Sequence, residues 1–297
     1  MNILIAGGSG FLGSALVQSL AQDGHRIFVL TRRVPQTPSQ IHWDGKTTAG
    51  GWSDRLSEMD AVINLTGYGL DHWPWTRRQK GRFLDSRVLP GRALAAAIQA
   101  SARRPSVFIQ ASGINHYGLR SDSLADESTP PADDFLAQLT VAWEKATQPV
   151  DELGVRRVVI RTAVVLARRG GMFPLMALPV RLFAGGRFGD GKQAVPWIHI
   201  DDYVGAVKFL LQNENARGPF NLIAPTPTSN AEFMRTIARE LKRPYWLHLP
   251  AFLLKIPLGE MSVLLTEGSY AQPKRLLELG YTFRFPALAD AVRDLFN

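Results

Sequence analysis

The chain contains no cysteine. That excludes disulfides, metal thiolates and thiol nucleophiles together, and it is compatible with a cytoplasmic location. No apolar run approaches the ~20 residues of a membrane-spanning helix, so no membrane partner is expected. Strand-like sequence begins at residue 2, and no cleavable leader is expected ahead of it. Internal repeats and low-complexity linkers are absent. No His, Asp or Glu cluster has metal-ligand spacing, so no metal is expected. The charge is unbalanced, with 34 Lys and Arg against 26 Asp and Glu. These cations are spread along the chain and accompany no nucleic-acid motif. A phosphate-bearing small molecule explains them more economically than a nucleic acid.

What the chain does carry begins at once. Asn2-Ile3-Leu4-Ile5-Ala6 reads as a strand and runs directly into Gly7-Gly8-Ser9-Gly10-Phe11-Leu12-Gly13, after which Ser14 to Gln22 reads as a helix closed by Asp23-Gly24. Strand, glycine turn and helix is the order a dinucleotide pyrophosphate requires. Gly7 permits the turn, Gly10 admits phosphate to the backbone, and Gly13 lets the helix pack on the strand. Unpaired amides and the helix dipole then attract the anion. A second strand, His25 to Leu30, is followed by Thr31-Arg32-Arg33. An acidic residue about 20 residues past the glycines would bond the ribose of NAD. Two guanidiniums stand there instead, and their planar donors suit a 2′-phosphate. The expected cofactor is NADP(H).

Further strands are expected at Ile41 to Trp43, Ala61 to Leu65, Ser106 to Ala111, Arg157 to Arg161 and Phe220 to Ile223. Helices are expected over Thr76 to Ala100, bent or divided at Pro90-Gly91, and over Phe135 to Glu152. The alternation predicts an α/β fold, a Rossmann-type doubly wound parallel sheet with helices on both faces and a smaller C-terminal substrate lobe. Residues 1–170 plus 196–228 form the expected dinucleotide-binding domain, and residues 171–195 plus 229–297 the substrate-side lobe. The tail beyond residue 229 reads as mainly helical. Nothing in the chain speaks for or against a homo-oligomer.

The glycine turn with Asn64-Leu65-Thr66-Gly67, Tyr117-Gly118, Trp143-Glu144, Arg161-Thr162, Trp197 to Asp202 and Pro273-Lys274-Arg275-Leu276 resembles an atypical extended short-chain dehydrogenase/reductase. More narrowly, it is similar to the YfcH-like NAD(P)-dependent epimerase/dehydratase family, whose C-terminal extension carries the Pro-Lys-Arg motif. The resemblance covers nearly the whole chain. It implies a Rossmann fold, NADP binding, and a role grouped with sugar-nucleotide epimerases. It also exposes departures. The family's usual Tyr-x-x-x-Lys pair, spaced to share one helix face, falls on Leu136 and Thr140. Gly113 stands where many epimerases keep a catalytic Ser. Val195 falls where an Arg often grips the substrate diphosphate.

Candidate chemistry therefore shifts to the segment after the fifth strand. Ser112 and Tyr117 are the expected catalytic residues, Tyr117 as proton donor, although each also has a purely structural reading. Asn115 and His116, the latter an exposed loop residue without a partner, are expected to touch a small-molecule substrate. Arg181, Arg187 and Lys192 are available for an acidic group on it. The cofactor is expected to contact Gly7, Ser9, Gly10, Phe11, Leu12, Gly13, Thr31, Arg32, Arg33, Thr66, Gly67, Ala111, Ser112, Thr162 and Ala163, with Asp44 accepting from the adenine. His199 reads as a core residue, Asp201 and Asp202 as helix caps, and Trp143 and Trp197 as packing. The function expected is hydride transfer or epimerisation on a carbonyl, hydroxyl or sugar-nucleotide compound. The alternative is an NADPH-dependent sensor or binding protein.

Overall fold

The computed structural model describes residues 1–119 and 123–297. Its elements run β1 (Asn2–Ala6), α1 (Phe11–Gln22), β2 (Arg26–Thr31), β3 (Gln40–His42), β4 (Ala61–Asn64), α2 (Arg77–Ala100), β5 (Val107–Gly113), α3 (Phe135–Lys145), β6 (Arg156–Thr162) and β7 (Val164–Leu166). They continue with α4 (Phe173–Arg181), β8 (Gly185–Phe188), β9 (Trp197–His199), α5 (Ile200–Gln212), β10 (Gly218–Leu222), α6 (Asn230–Glu240), β11 (Tyr245–Leu249), α7 (Ala251–Leu258), α8 (Val263–Thr266), α9 (Lys274–Glu278) and α10 (Leu288–Phe296).

Seven strands form one parallel sheet in the order β10-β6-β5-β4-β1-β2-β3. The chain works outward from β1 in one direction, then returns to β4 and works outward in the other. That reversal opens a crevice beyond the carboxyl ends of β1 and β4, where open sheets take their ligands. Alternation along β1 feeds both faces. Ile3 and Ile5 join the core under α1 and α5, while Leu4 and Ala6 join Trp43, Trp52 and Leu94 on the α2 side. A further core, built from α4, α6, α10, Phe188 and Trp197, lies outside the main sheet. The two-stranded parallel sheets β7-β9 and β8-β11 flank it.

Three elements depart from expectation. Helix α2 runs through Pro90 without division. Proline there removes one helix bond, but Pro90 and Gly91 are buried, and a side chain on Gly91 would meet Ala146 and Thr147 at 3.1 Å. Packing on α3 holds the turn together. Helix α3 ends at Lys145, and a 3-10 segment follows over Gln148–Leu153. Pro149 cannot continue an α-helix, and Arg157 seals the end by donating to the Glu144 carbonyl and the Thr147 hydroxyl. Strand β11, inside the tail expected to be mainly helical, pairs with β8. The short strand's partner lies far away in sequence, so its pattern alone does not announce it.

The glycine turn is tightly fixed. Gly7 has φ +82, and a Cβ on it would lie 2.8 Å from the Leu65 carbonyl carbon. A Cβ on Gly13 would overlap the Gly7 carbonyl oxygen and the Gly8 Cα. Gly13→Ala is therefore expected to push α1 off β1 and cost about 1–3 kcal/mol. Gly81 lies inside α2 with nothing within 4 Å of an added Cβ, so Gly81→Ala should stabilise by about 0.5–1 kcal/mol. Denaturant melts of the two variants check both signs, and equal midpoints would contradict the packing account.

Candidate active site

The crevice is built from the bottom by β1. The amide of Gly10 donates to the Gly7 carbonyl at 3.0 Å and that of Ser14 to the Gly10 carbonyl at 2.8 Å, so turn and helix are one rigid unit. Helix α1 starts without a side-chain cap and without an acidic residue in its first turn. Its amide end thus stays available to an anion, with Ser9 and Gly10 exposed and Phe11 and Leu12 half-buried. Phe11 packs against Gly170 and Gly171, where an added Cβ would meet its ring at 2.8 and 2.9 Å. At the end of β2, Thr31 accepts the Arg33 amide. Arg32 and Arg33 are exposed, and neither guanidinium has a hydrogen-bond acceptor among the described residues. This donor set fits a dinucleotide with a phosphorylated ribose: glycine backbone for the pyrophosphate and two open forks beside it.

Asp44 is more occupied than expected. Its Oδ1 accepts the amides of Lys46 and Thr47, and its Oδ2 accepts the Thr47 hydroxyl. The Thr47 hydroxyl, followed by those amides, holds its pKa below the usual carboxylate value. Its first role is to close its own turn, and any adenine contact has to share those oxygens. On the other side of the glycines, Asn64 accepts both the amide and hydroxyl of Thr66 and donates to Gln110, which donates in turn to the Ala111 carbonyl. This buried chain fixes Thr66-Gly67 at the mouth of β4 and ties it to β5. Ala163, at the far strand, is anchored by its amide to the Leu222 carbonyl.

Beyond β5 the structure encloses both residues expected to be catalytic. Ser112 and Tyr117 are each only 4% exposed, and both hydroxyls are engaged. Ser112 donates to Glu144 at 2.7 Å. Arg161 grips the same carboxylate with two bonds of 2.9 and 3.0 Å and donates a third to the Tyr117 hydroxyl at 3.0 Å. Tyr117 donates to the Asn221 side chain at 2.8 Å. Burial drives the Tyr117 pKa up, and the opposing pull of Arg161 does not restore it. A phenol that moves a proton near neutrality needs the reverse shift. Burial also pushes Glu144 upward, but Arg161 and then Ser112 outweigh it, and its net shift is down. Both residues read as parts of a buried scaffold.

His116 is not the exposed residue expected. It is 5% exposed, its Nδ1 has no hydrogen-bond partner, and it lies 3.8 Å from Glu144. Burial, then the nearby Arg161, lowers its pKa to about 4. Asn115 is half-buried. Gly113 faces α3, where an added Cβ would lie 3.5 Å from the Thr140 methyl. Thr140 spends its hydroxyl on the Ala137 carbonyl, and Leu136 packs with Trp75, Phe83 and Leu139. The two α3 positions expected from the resemblance to hold Tyr and Lys thus carry an apolar side chain and a hydroxyl spent on its own helix.

The three cations expected in one glycine-rich loop are not gathered there, for Arg181 ends α4, Arg187 lies on β8 and only Lys192 is outside a helix or strand. Arg181 lies over the Phe296 ring. Arg187 instead packs along Gly191, beside exposed Lys192. The Lys192 carbonyl accepts from Tyr270, whose neighbour Ser269 donates to the Gly118 carbonyl. Through these two bonds Lys192 is connected to the segment after β5. The expected helix caps also change role. His199 caps α5 through Nδ1, while Asp202 receives the amides of Arg284 and Phe285 and so anchors the C-terminal segment.

Sequence reasoning missed Arg87, which sits in α2 on the buried stripe of Phe83, Gly91 and Leu94. That in-register position was the available signal. Burial lowers its pKa to about 10, so it remains charged. The guanidinium lies 4.8 Å over the Trp143 ring.

Residues 3–222 match the model of the NAD dependent epimerase/dehydratase family, and residues 249–295 match a domain of unknown function, DUF1731. The chain is 35% identical to epimerase family protein YfhF of Bacillus subtilis, over 99% of this chain and 98% of that one. It is 36% identical to the bovine epimerase family protein SDR39U1, over 99% of each. The crystal structure of human SDR39U1 with NADPH superposes with a TM-score of 0.92 at 34% identity, covering 99% of both chains.

The buried histidine gives a pH signature. A base whose pKa falls on folding leaves the unfolded chain holding the extra proton below its ordinary value of 6.5. Stability from neutral His116 is therefore present above pH 6.5 and declines as pH falls towards about 4. The effect amounts to a few kcal/mol at most. His116→Asn should flatten the dependence of the melting midpoint on pH across that window. Parallel curves for variant and wild type would contradict it.

Proposed function

The chain belongs to the NAD dependent epimerase/dehydratase family, and we propose that it binds NADP(H) and catalyses hydride transfer on a small carbonyl, hydroxyl or sugar-nucleotide compound. One observation carries the cofactor assignment: the sterically fixed glycine turn stands beside two exposed, unpaired guanidiniums at the end of β2. The NADPH bound by human SDR39U1 supports it. When bound, the cofactor donates or accepts the hydride, which is chemistry no side chain supplies. The amide end of α1 and residues Gly7 to Gly13 hold the pyrophosphate, and Thr31, Arg32 and Arg33 hold the 2′-phosphate. Asp44 borders the adenine. Thr66, Gly67, Ala111, Thr162 and Ala163 line the nicotinamide side.

The substrate lies between the Ser112–Tyr117 segment and the outer lobe, formed by residues 171–195 and 229–297. A cleft bordered by Leu119, Asp134, Val263 and Glu267 opens there. Asn115, the half-buried residue of that segment, is assigned to substrate contact, and Arg187 with Lys192 to an acidic substituent. Ser112, Tyr117 and His116 position this wall through Glu144 and Arg161. Proton transfer is left to water or to the substrate. A second reading is favoured by the same wall: with Leu136 and Thr140 unable to move a proton, the chain would act as an NADPH-dependent binding protein without turnover.

Calorimetric titration should show NADPH binding tighter than NADH. Arg32→Ala and Arg33→Ala should each weaken NADPH about tenfold, or about 1.4 kcal/mol, with NADH unchanged. Equal affinity for both nucleotides would end the 2′-phosphate assignment. NADPH consumption with aldehydes and ketones, NADP+ reduction with hydroxyl compounds, and epimer formation from sugar nucleotides, which leaves net cofactor unchanged, together separate enzyme from sensor. Tight binding with silence across all of these assays selects the sensor.

A further inference from the structure

Arg87 differs from the other buried arginines in what its nitrogens do. Arg156 donates both terminal nitrogens to the carbonyls of Leu210, Leu211 and Ala216. Arg157 and Arg161 satisfy theirs on Asp151, Glu144, Thr147 and Tyr117. Arg87 donates from Nη1 to the Tyr68 and Phe83 carbonyls at 3.0 Å, with a longer contact of 3.4 Å to the Ser86 hydroxyl. Its Nε and Nη2 have no acceptor among the described residues, and no described carboxylate forms an ion pair with it. The residue is 7% exposed.

The two free nitrogens share one edge of the guanidinium, and that edge faces Gly67. A Cβ built on Gly67 would lie 3.5 Å from Nη2 and 3.7 Å from Nε. Gly67 directly follows Thr66, whose amide nitrogen would lie 3.1 Å from a Cβ on Gly7. The edge therefore borders the ground between the glycine turn and α3. Three of the five guanidinium N–H groups thus have no acceptor among the described residues, neither Nε nor Nη2 is enclosed, and packing over Trp143 does not require open donors. An Nε–Nη2 edge is the geometry that receives two oxygens of one phosphate or carboxylate.

We propose that Arg87 is a ligand-binding residue whose Nε and Nη2 take an oxyanion of a small molecule lying against Gly67. It places on α2 a cation that α3, with Thr140 at its matching position, does not offer. The oxyanion has two sources, the phosphates of the cofactor or an acidic group of the substrate. The identity of the first rests on the NADP(H) reading above.

The test compares wild type with Arg87→Met and Arg87→Lys. Each is assayed for its melting midpoint, for NADPH affinity, and for binding of inorganic phosphate with and without NADPH. A tenfold or greater loss of NADPH affinity in Arg87→Met, with a wild-type midpoint in the unliganded protein, assigns the oxyanion to the cofactor. Unchanged NADPH affinity with phosphate binding lost from the NADPH-loaded protein assigns it to the substrate. Arg87→Lys keeps the charge but not the fork, and should recover part of either loss. If folded Arg87→Met binds both probes as wild type does, Arg87 is a packing residue and the proposal is overturned. Wild-type protein that ignores NADPH would sink the cofactor reading alone. Phosphate binding to the unloaded chain would then decide Arg87, and its absence from wild type would overturn the proposal.

Discussion

The two-bond pair between Arg161 and Glu144 is the contact on which the shape of the cleft depends. It joins β6 to α3, and each partner carries a second load. Glu144 holds the Ser112 hydroxyl of β5, and Arg161 holds Tyr117 in the segment after it. Tyr117 passes the connection to Asn221 on β10, whose amide donates to Glu127 and whose side chain donates to the Gln272 carbonyl. A buried pair contributes little net stability compared with apolar packing, but removing one partner strands the other at about 3–5 kcal/mol. Its value here is specification. Three strands and a helix can meet in only one register if all of these bonds are to form.

That specification has a chemical consequence. A hydroxyl that is buried and committed to an ion pair is poorly placed to exchange protons with a substrate. The wall formed by the segment after β5 is thus polar in composition but fixed by its bonds. The α3 face beside it is apolar, from Leu136 and Leu139 to Trp75 and Phe83. Such a wall can orient a ligand, while any hydride chemistry on the proposed reading belongs to the cofactor.

The fold was largely legible because parallel strands buried on both faces are continuous apolar runs, and glycine turns have steric signatures that survive without context. The strands β1, β2, β4, β5, β6 and β10 fall within one or two residues of where the pattern puts them. Misreadings arose where a distant partner decides the outcome. Pro90 stays helical because α3 packs on it, and β11 exists because β8 is there to pair. His116 follows a strand and reads as loop, yet its ring is enclosed beside Glu144. Ser112 and Tyr117 are chemically competent residue types. Only the positions of Glu144, Arg161 and Asn221 reveal that their hydroxyls are engaged.

The Pro273-Lys274-Arg275 motif follows the same logic. It marks the family resemblance in sequence, and in the structure it acts as a clamp. Arg275 donates to the carbonyls of Pro219 and Arg217 and lies 4.3 Å over the Phe220 ring, all at the edge strand β10. Its amide meets Glu127, and Lys274 pairs with Asp126. An edge strand exposes unpaired backbone that invites other chains, and Arg275 covers part of that edge. The C-terminal segment reaches the candidate-site wall twice, through Asn221 of β10, which accepts from Tyr117, and directly through Ser269, which donates to the Gly118 carbonyl. The extension and the dinucleotide fold are therefore mechanically one unit, held by carbonyl-seeking guanidiniums. Arg87 shares that habit through Nη1, which donates to the Tyr68 and Phe83 carbonyls, and differs in leaving Nε and Nη2 without an acceptor among the described residues.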